Sequence, residues 1–139
     1  MEMTEFLQEM VRLDASDIYI TVDLPPMYRR EGINTPLGTK NLTAEDTRML
    51  AEKCMTEKQR KDFYEKMEMN LALYYPEFGR FRVNIFFQQR NIGLVIRQIK
   101  INIRTIDELN LPQILKDVAM TKRGLVLVVG ATGSGKSTT

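Results

Sequence analysis

The feature that most constrains the fold of this chain is a glycine-rich loop preceded by an apolar run. Residues 130–137 match the pattern G-x-x-x-x-G-K-[ST], and residues 125–129 are all leucine or valine. Such a run predicts a strand buried on both faces, as in a parallel sheet covered by helices. A buried strand, a glycine-rich loop and the start of a helix form the arrangement in which this pattern binds phosphate. The segment therefore predicts nucleotide binding.

The residue types of this loop explain how it would hold a nucleotide. Glycine lets the backbone turn successive N–H groups toward phosphate oxygens, and the positive end of a following helix adds to the attraction. We expect Lys136 to act catalytically at the β- and γ-phosphates of ATP and the Ser137 hydroxyl to bind Mg²⁺. The predicted nucleotide-binding residues are Gly130, Ala131, Thr132, Gly133, Ser134, Gly135, Lys136, Ser137 and Thr138.

A complete domain of this type needs more than the loop. It also requires further strands, an acidic residue that binds Mg²⁺ and a group that positions water. The sequence continues for two residues after Ser137, which leaves no room for these parts. We therefore expect the chain to be the N-terminal portion of a larger ATP hydrolase, and we expect this portion alone to be inactive.

Composition excludes several other kinds of site. The chain has 139 residues, no histidine and one cysteine, so it offers neither a histidine-based triad nor an internal disulfide. Its hydrophobic fraction of 43% is typical of a globular domain. No apolar window is long enough to cross a bilayer, and no secretory signal opens the chain. These features predict a cytoplasmic protein.

Charge is distributed unevenly along the chain. Residues 78–104 include six basic residues and no acidic one. A basic block in a protein with a phosphate site favours an anion-facing surface, although an ordinary solvated strand face would carry the same charges. The basic residues do not alternate with aromatic ones as a stacking platform requires, so we do not expect nucleic-acid binding.

The pattern of apolar residues predicts an α+β fold, with a mixed antiparallel sheet and helices over about the first hundred residues. Helices are predicted at 4–13, from the N-cap Thr43 to about residue 55, from the N-cap Thr56 onward, and at 112–120. Strands are predicted at 17–21, 27–30, 33 onward, 70–75, 79–88 and 93–99, with turns at 31–32 and 90–91.

Arg97 stands out because its neighbours Val95, Ile96 and Ile99 are apolar. An embedded guanidinium without a partner is costly, so the residue needs a reason. It either pairs with an acid of its own domain, such as Asp17, or faces phosphates. Both alternatives stay open on the residues alone.

Five motifs, taken in order, resemble a known family. They are ASDIYI from Ala15, LPPM from Leu24, RFRVN from Arg80, RQI from Arg97 and KRGLVLVVGATGSGKSTT from Lys122. Together they cover nearly the whole chain and resemble the secretion and type IV pilus ATPases, and within them the PilT/PilU retraction motors. Ala131 and the segment that begins at Met120 are more similar to the PilU type.

The resemblance implies the organisation of the chain and its surroundings. Residues 1–101 would be a PAS-like N-terminal domain, 102–123 a helical connector, and 124–139 the first strand and P-loop of a truncated RecA-like α/β domain. Family members form hexameric rings at the cytoplasmic face of the inner membrane. The implied partners are further copies of the protein, an inner-membrane pilus platform protein and a paralogous retraction ATPase.

The resemblance also implies a catalytic role for two arginines. In such motors ATP binds between the N-terminal and RecA-like domains, and arginines of the N-terminal domain reach the γ-phosphate. By motif position these are Arg82 and Arg97, which would stabilise charge on that phosphate. The implied function is ATP-driven retraction of type IV pili in twitching motility. The alternative is a non-catalytic subunit-interaction module of a related secretion or DNA-uptake ATPase.

Overall fold

The computed structural model describes residues 2–100, 105–131 and 134–136. The chain divides into two compact units, Met1–Ile101 and Asn102–Thr139. The described residues form six strands and four helices, and all of these except the last helix lie in the first unit.

The elements follow the order predicted from the sequence. The strands are β1 (Asp17–Ile20), β2 (Met27–Arg30), β3 (Ile33–Pro36), β4 (Glu68–Tyr75), β5 (Gly79–Gln88) and β6 (Asn91–Ile99). The helices are α1 (Met3–Arg12), α2 (Ala44–Cys54), α3 (Glu57–Lys66) and α4 (Ile114–Ala119). The α+β prediction is confirmed.

The six strands form one sheet in the order β3-β2-β1-β6-β5-β4, and all neighbouring strands are antiparallel. Strand β1 therefore lies beside β6, about 80 residues later in the chain. This crossover places β1 next to the basic strand β6, whose other neighbour is the basic strand β5.

The core lies on one face of this sheet. Alternate residues of β5, namely Phe81, Val83 and Ile85, are fully buried in one cluster with residues of α1, α2 and α3. The intervening residues of β5 point to the opposite face because side chains alternate along a strand. That face carries the polar residues, as the alternating pattern predicts.

Two helices begin where the sequence indicates. The Thr43 hydroxyl accepts a hydrogen bond from the Asp46 N–H, and the Thr56 hydroxyl accepts one from the Gln59 N–H. In both helices the side chain three residues on accepts a hydrogen bond from the N-cap N–H, which completes a capping box. The caps are local, so they were predictable.

The tight turns show one shift from the expected positions. The turn at residues 31–32 is confirmed, with positive φ angles at Glu31 (50°) and Gly32 (81°). The turn between β5 and β6 is instead centred on Gln89 and Arg90, whose φ angles are 49° and 66°. A two-residue hairpin of this type needs positive φ at both central positions, and the register of β5 and β6 decides which residues occupy them.

The prediction of a strand at residues 125–129 is wrong for this structure. These residues have no regular secondary structure, and their side chains are 52–88% exposed. A buried strand requires partners on both edges and helices on both faces. Among residues 105–131 and 134–136 there is no strand that could pair with the run.

Candidate functional site

The sheet register brings together the two arginines selected from the sequence. Arg82 of β5 lies directly opposite Arg97 of β6, and Asp17 of β1 lies opposite Arg97 on its other side. The Cβ atoms of such opposite residues are about 4.5–5.5 Å apart. Both arginines are exposed on the sheet face turned away from the core. Adjacent positive charges on an open face form a site that favours an anion.

A shallow groove of about 280 Å³ lies over these arginines. It is lined by Asn70, Arg82, Asn84, Val95 and Arg97. The guanidinium groups supply charged N–H donors, and the amides add neutral polar groups beside them. The groove therefore has the chemistry to bind a small anionic group such as a phosphate.

The two asparagines of the groove form a hydrogen-bonded wall with Glu68. The Asn84 amide donates to the Asn70 side-chain oxygen at 3.2 Å and to a Glu68 carboxylate oxygen at 3.1 Å, while the Asn70 amide donates to the same Glu68 oxygen at 3.1 Å. The sequence analysis did not select Asn70 or Asn84 as site residues. The only available signal was their polar position in alternating strands, and their proximity to Arg82 depends on the register of β4 with β5.

Arg97 is joined to Asp17 by a short ion pair, with Nε donating to Oδ1 at 2.8 Å. The Asp17 side chain is 5% exposed and the Arg97 side chain is 65% exposed. The hydrogen bond and the negative charge of Asp17 raise the pKa of Arg97 above its usual value, so the guanidinium stays charged. Of the two alternatives for Arg97, the pairing with Asp17 is present.

The expectation that Arg97 is embedded among apolar neighbours is wrong. Its sequence neighbour Ile96 is fully buried on the core face, while Arg97 points to the open face. Successive residues of a strand face opposite sides of the sheet, so apolar neighbours in sequence do not bury the residue between them. The exposed guanidinium remains accessible to a ligand.

Two other arginines of the same face are engaged by aromatic rings. The Arg80 guanidinium lies 5.6 Å from the Tyr74 ring centroid, and that of Arg29 lies 5.3 Å from the Tyr19 centroid. Arg82, by contrast, has no hydrogen-bond or ion-pair partner within the described part of the chain. Arg82 and Arg97 are the two cations that line the groove, whereas Arg80 and Arg29 do not line it.

In the second unit, the described part of the glycine-rich loop folds back on itself. The Lys136 ammonium donates to the Gly130 carbonyl at 2.8 Å and to the Ala131 carbonyl at 2.6 Å. A Cβ atom on Gly130 would overlap the Ser134 hydroxyl, and Gly135 has a φ of 89°. Gly135 therefore requires glycine for its backbone conformation, whereas a side chain at position 130 would first displace the Ser134 hydroxyl.

Four of the predicted nucleotide-binding residues, Thr132, Gly133, Ser137 and Thr138, lie outside the described residues. Ser137 is also the predicted Mg²⁺ ligand. Among the residues that are described, no group of three or more Cys, Asp or Glu side chains could hold a metal ion. In the same part of the chain, no helix has the length and apolar character needed to cross a membrane.

The chain is similar in sequence to two proteins of Pseudomonas aeruginosa. It is 46% identical over 138 residues to the type IV pilus ATPase PilU, a match that covers 99% of this chain and 36% of PilU. It is 41% identical over 139 residues to the type IV pilus retraction ATPase PilT, covering all of this chain and 40% of PilT. The chain thus spans less than half the length of these relatives. No protein-family model matches it.

The fold is also similar to that of a solved structure. A crystal structure of the pilus retraction motor PilT with bound ADP superposes with a TM-score of 0.83 and is 32% identical in sequence. The match covers 99% of this chain and 40% of that one. The α+β architecture described above therefore corresponds to the N-terminal domain of that motor.

Proposed function

On the premise that its relatives along the whole chain include the type IV pilus ATPases PilU and PilT, as its motifs predict, we propose that this chain is the N-terminal portion of a motor that hydrolyses ATP to retract type IV pili. The observation that carries the proposal is the 46% identity to PilU over 99% of the chain. The higher identity to PilU than to PilT also favours a PilU-like role.

The proposed organisation assigns a role to each part of the chain. Residues 1–101 form a PAS-like N-terminal domain, 102–123 a helical connector, and 124–139 the first strand and P-loop of a RecA-like domain. The six-stranded sheet with helices on one face supports the first assignment. The folded-back glycine loop with Lys136 on its carbonyls supports the last. In the whole protein, residues 125–129 pair with further strands and become buried.

ATP and Mg²⁺ are the proposed cofactors. The backbone of residues 130–138 and the Lys136 ammonium bind the phosphates, and Ser137 contributes its hydroxyl to Mg²⁺. The positive φ of Gly135 (89°) supports this, because a glycine backbone can turn successive N–H groups toward phosphate oxygens. When bound, Mg²⁺ offsets the negative charge of the phosphates.

Arg82 and Arg97 bind the γ-phosphate in this proposal. In the transition state of hydrolysis, negative charge is spread over the three equatorial oxygens of the transferred phosphoryl group and builds on the leaving group, so fixed cations there lower its energy. The groove of about 280 Å³ is large enough for a phosphate group and is lined by both arginines. Neither residue needs to transfer a proton, and the raised pKa of Arg97 suits a permanent charge.

The proposed setting follows the PilT/PilU relatives. The protein assembles with further copies of itself as a hexameric ring at the cytoplasmic face of the inner membrane. Its partners there are a pilus platform protein of that membrane and a paralogous retraction ATPase, and no nucleic acid takes part.

A second candidate function is supported by the ion pair itself. Because Arg97 is already bound to Asp17, the open sheet face could serve only as a contact surface between subunits. The chain would then be a non-catalytic interaction module of a related secretion or DNA-uptake ATPase.

ATP turnover by the full-length protein distinguishes these functions. We expect Arg82→Ala and Arg97→Ala each to lower turnover by about 100-fold or more while the hexamer persists, because each removes charge from the transition state. Lys136→Ala serves as the inactive reference. Arg80→Ala is the matched control, since Arg80 lies on the same face but stacks on Tyr74 outside the groove.

The control variant should turn over ATP within about threefold of the unmodified protein. If Arg82→Ala and Arg97→Ala both behave like the Arg80 control, the arginines do not act on the nucleotide. The interaction-module function would then be the correct one, provided that the same variants weaken the hexamer.

A further inference from the structure

Asp17 is a buried carboxylate at the first residue of β1. It is 3% exposed, and its two oxygens have different partners. Oδ1 accepts a hydrogen bond from Arg97 Nε at 2.8 Å, and Oδ2 accepts one from the Ser16 hydroxyl at 2.9 Å. A carboxylate this deeply buried requires a charged partner and hydrogen bonds, because burial removes the water that would otherwise solvate its charge. Arg97 is therefore tethered to a fixed point of the sheet.

The tether uses one particular atom of Arg97. A guanidinium has five N–H donors in a rigid plane, one on Nε and four on the two terminal nitrogens. Asp17 takes the Nε donor, and the terminal nitrogens make no hydrogen bond to the described residues. Because the group is planar, holding Nε also fixes the orientation of the other donors. The Arg97 side chain is 65% exposed, so those donors are accessible to a ligand.

The charge of Asp17 also affects the neighbouring arginine. Arg82 and Arg97 lie directly opposite each other on β5 and β6, where like charges destabilise a sheet. Asp17 lies on the other side of Arg97 in the same cross-strand row. Its negative charge offsets the repulsion, so both cations can remain side by side in the absence of an anion.

From this geometry we propose that Asp17 is a positioning residue, which holds the Arg97 guanidinium so that its terminal nitrogens are presented to the γ-phosphate. This inference rests on the proposed function, because it assigns Asp17 a role in the same site. Pre-orientation lowers the entropy cost of binding, since a long exposed arginine otherwise loses its rotamer freedom when the phosphate arrives. Asp17 contacts Arg97 and not the nucleotide.

The test compares the affinities of the full-length protein for ATPγS and ADP. Asp17→Asn keeps the side-chain volume and one oxygen acceptor but removes the charge. We expect the variant to bind ADP normally and ATPγS about tenfold more weakly, because only the latter has a γ-phosphate. A residue that is merely structural would change both affinities or neither.

Ser16→Ala is the matched control. It removes the hydrogen bond to Oδ2 of the same carboxylate and leaves the bond between Oδ1 and Arg97 in place. We expect its ratio of ATPγS to ADP affinity to stay within about twofold of the unmodified protein. Equal effects of Ser16→Ala and Asp17→Asn on this ratio would overturn the inference.

Arg97→Ala separates failure of the inference from failure of the proposed function. If Arg97→Ala leaves the affinity ratio unchanged, Arg97 does not bind the γ-phosphate, and both proposals fail. If Arg97→Ala lowers the ratio but Asp17→Asn does not, the inference alone is overturned. If both lower it and the double variant lowers it no further than Arg97→Ala does, Asp17 acts through Arg97 as proposed.

Arg97→Lys provides a second route if Asp17→Asn does not fold. A lysine keeps the positive charge beside Asp17 but has a single ammonium, which cannot offer the two separate edges of a guanidinium. We expect Arg97→Lys to lose the preference for ATPγS as fully as Arg97→Ala. A preference retained by the lysine variant would show that a tethered fork is not required and would overturn the inference.

Discussion

Phe63 is the residue by which α3 enters the hydrophobic core under the sheet. Helix α3 is described in full, and Phe63 is its only buried residue. Its ring stacks on Phe87 of β5, with 5.2 Å between centroids and 14° between planes. We predict that Phe63→Ala strongly lowers the free energy of unfolding and that α3 detaches from the sheet before the rest of the domain unfolds.

The magnitude follows from the burial and the stacking of this ring. Truncating a core phenylalanine to alanine costs about 3–5 kcal/mol, and loss of a stacked aromatic pair accounts for about 0.5–1.5 kcal/mol. These terms overlap, so we expect a loss of about 3–5 kcal/mol in total. A domain of this size has about 5–15 kcal/mol of stability. The midpoint of thermal unfolding should therefore fall by about 12 °C or more.

Urea denaturation of the 139-residue chain measures this loss, and amide hydrogen exchange shows where it acts. The matched control is Tyr64→Ala at the adjacent position, where the aromatic side chain is 42% exposed and its hydroxyl donates to Glu52 at 2.7 Å. We expect about 1–2 kcal/mol for this control, because Tyr64→Ala removes the hydrogen bond and the tilted ring contacts with Phe63 and Phe87. If both variants lose about the same free energy, or if α3 amides keep their protection in Phe63→Ala, the reasoning is wrong.

Two further predictions concern ionisable groups. Burial raises the pKa of Cys54 to about 12, so little of its thiol is ionised at pH 8. We expect Cys54 of the folded protein to react with a thiol reagent at least about 100-fold more slowly than in the protein unfolded in urea. Equal rates would contradict this prediction. Hydrogen bonds from the Thr43 N–H and hydroxyl lower the pKa of Asp46, so its stabilising effect is present above about pH 4 and is lost as the pH falls through the folded pKa. An NMR titration of the Asp46 carboxyl carbon should give a midpoint below pH 3.8. Asp46→Asn should reduce the loss of unfolding free energy that occurs as the pH falls below about 4. A midpoint at or above 3.8 would refute the capping argument.

Most elements of the first unit were predictable because their signals are local. The capping boxes of α2 and α3 join residues three positions apart, and the alternation in β5 identifies both its core face and its polar face. Strand β4 still begins at Glu68, two residues before the predicted start. In the second unit, helix α4 begins at Ile114 instead of 112. The ends of elements depend on pairing and packing, which short sequence patterns do not contain.

The candidate site was predictable only in part. Arg82 and Arg97 were selected by motif position, but the groove also contains Asn70 and Asn84, which were not. For Arg97, the sequence left open whether an acid or a phosphate was its partner. In the structure the partner of Arg97 is the acid Asp17, and the Arg97 side chain is exposed on the open face.

The sequence by itself determined the local elements and the glycine-rich loop, because each depends on residues close together in the chain, and its ordered motifs indicated the similarity to pilus ATPases. Only the tertiary structure decided which side chains share a site. Asp17 and Arg97 are 80 residues apart, and they meet because β1 inserts beside β6. Dependence on distant strands also explains why the predicted strand at 125–129 is absent, since an apolar run becomes a strand only when other strands satisfy its backbone hydrogen bonds.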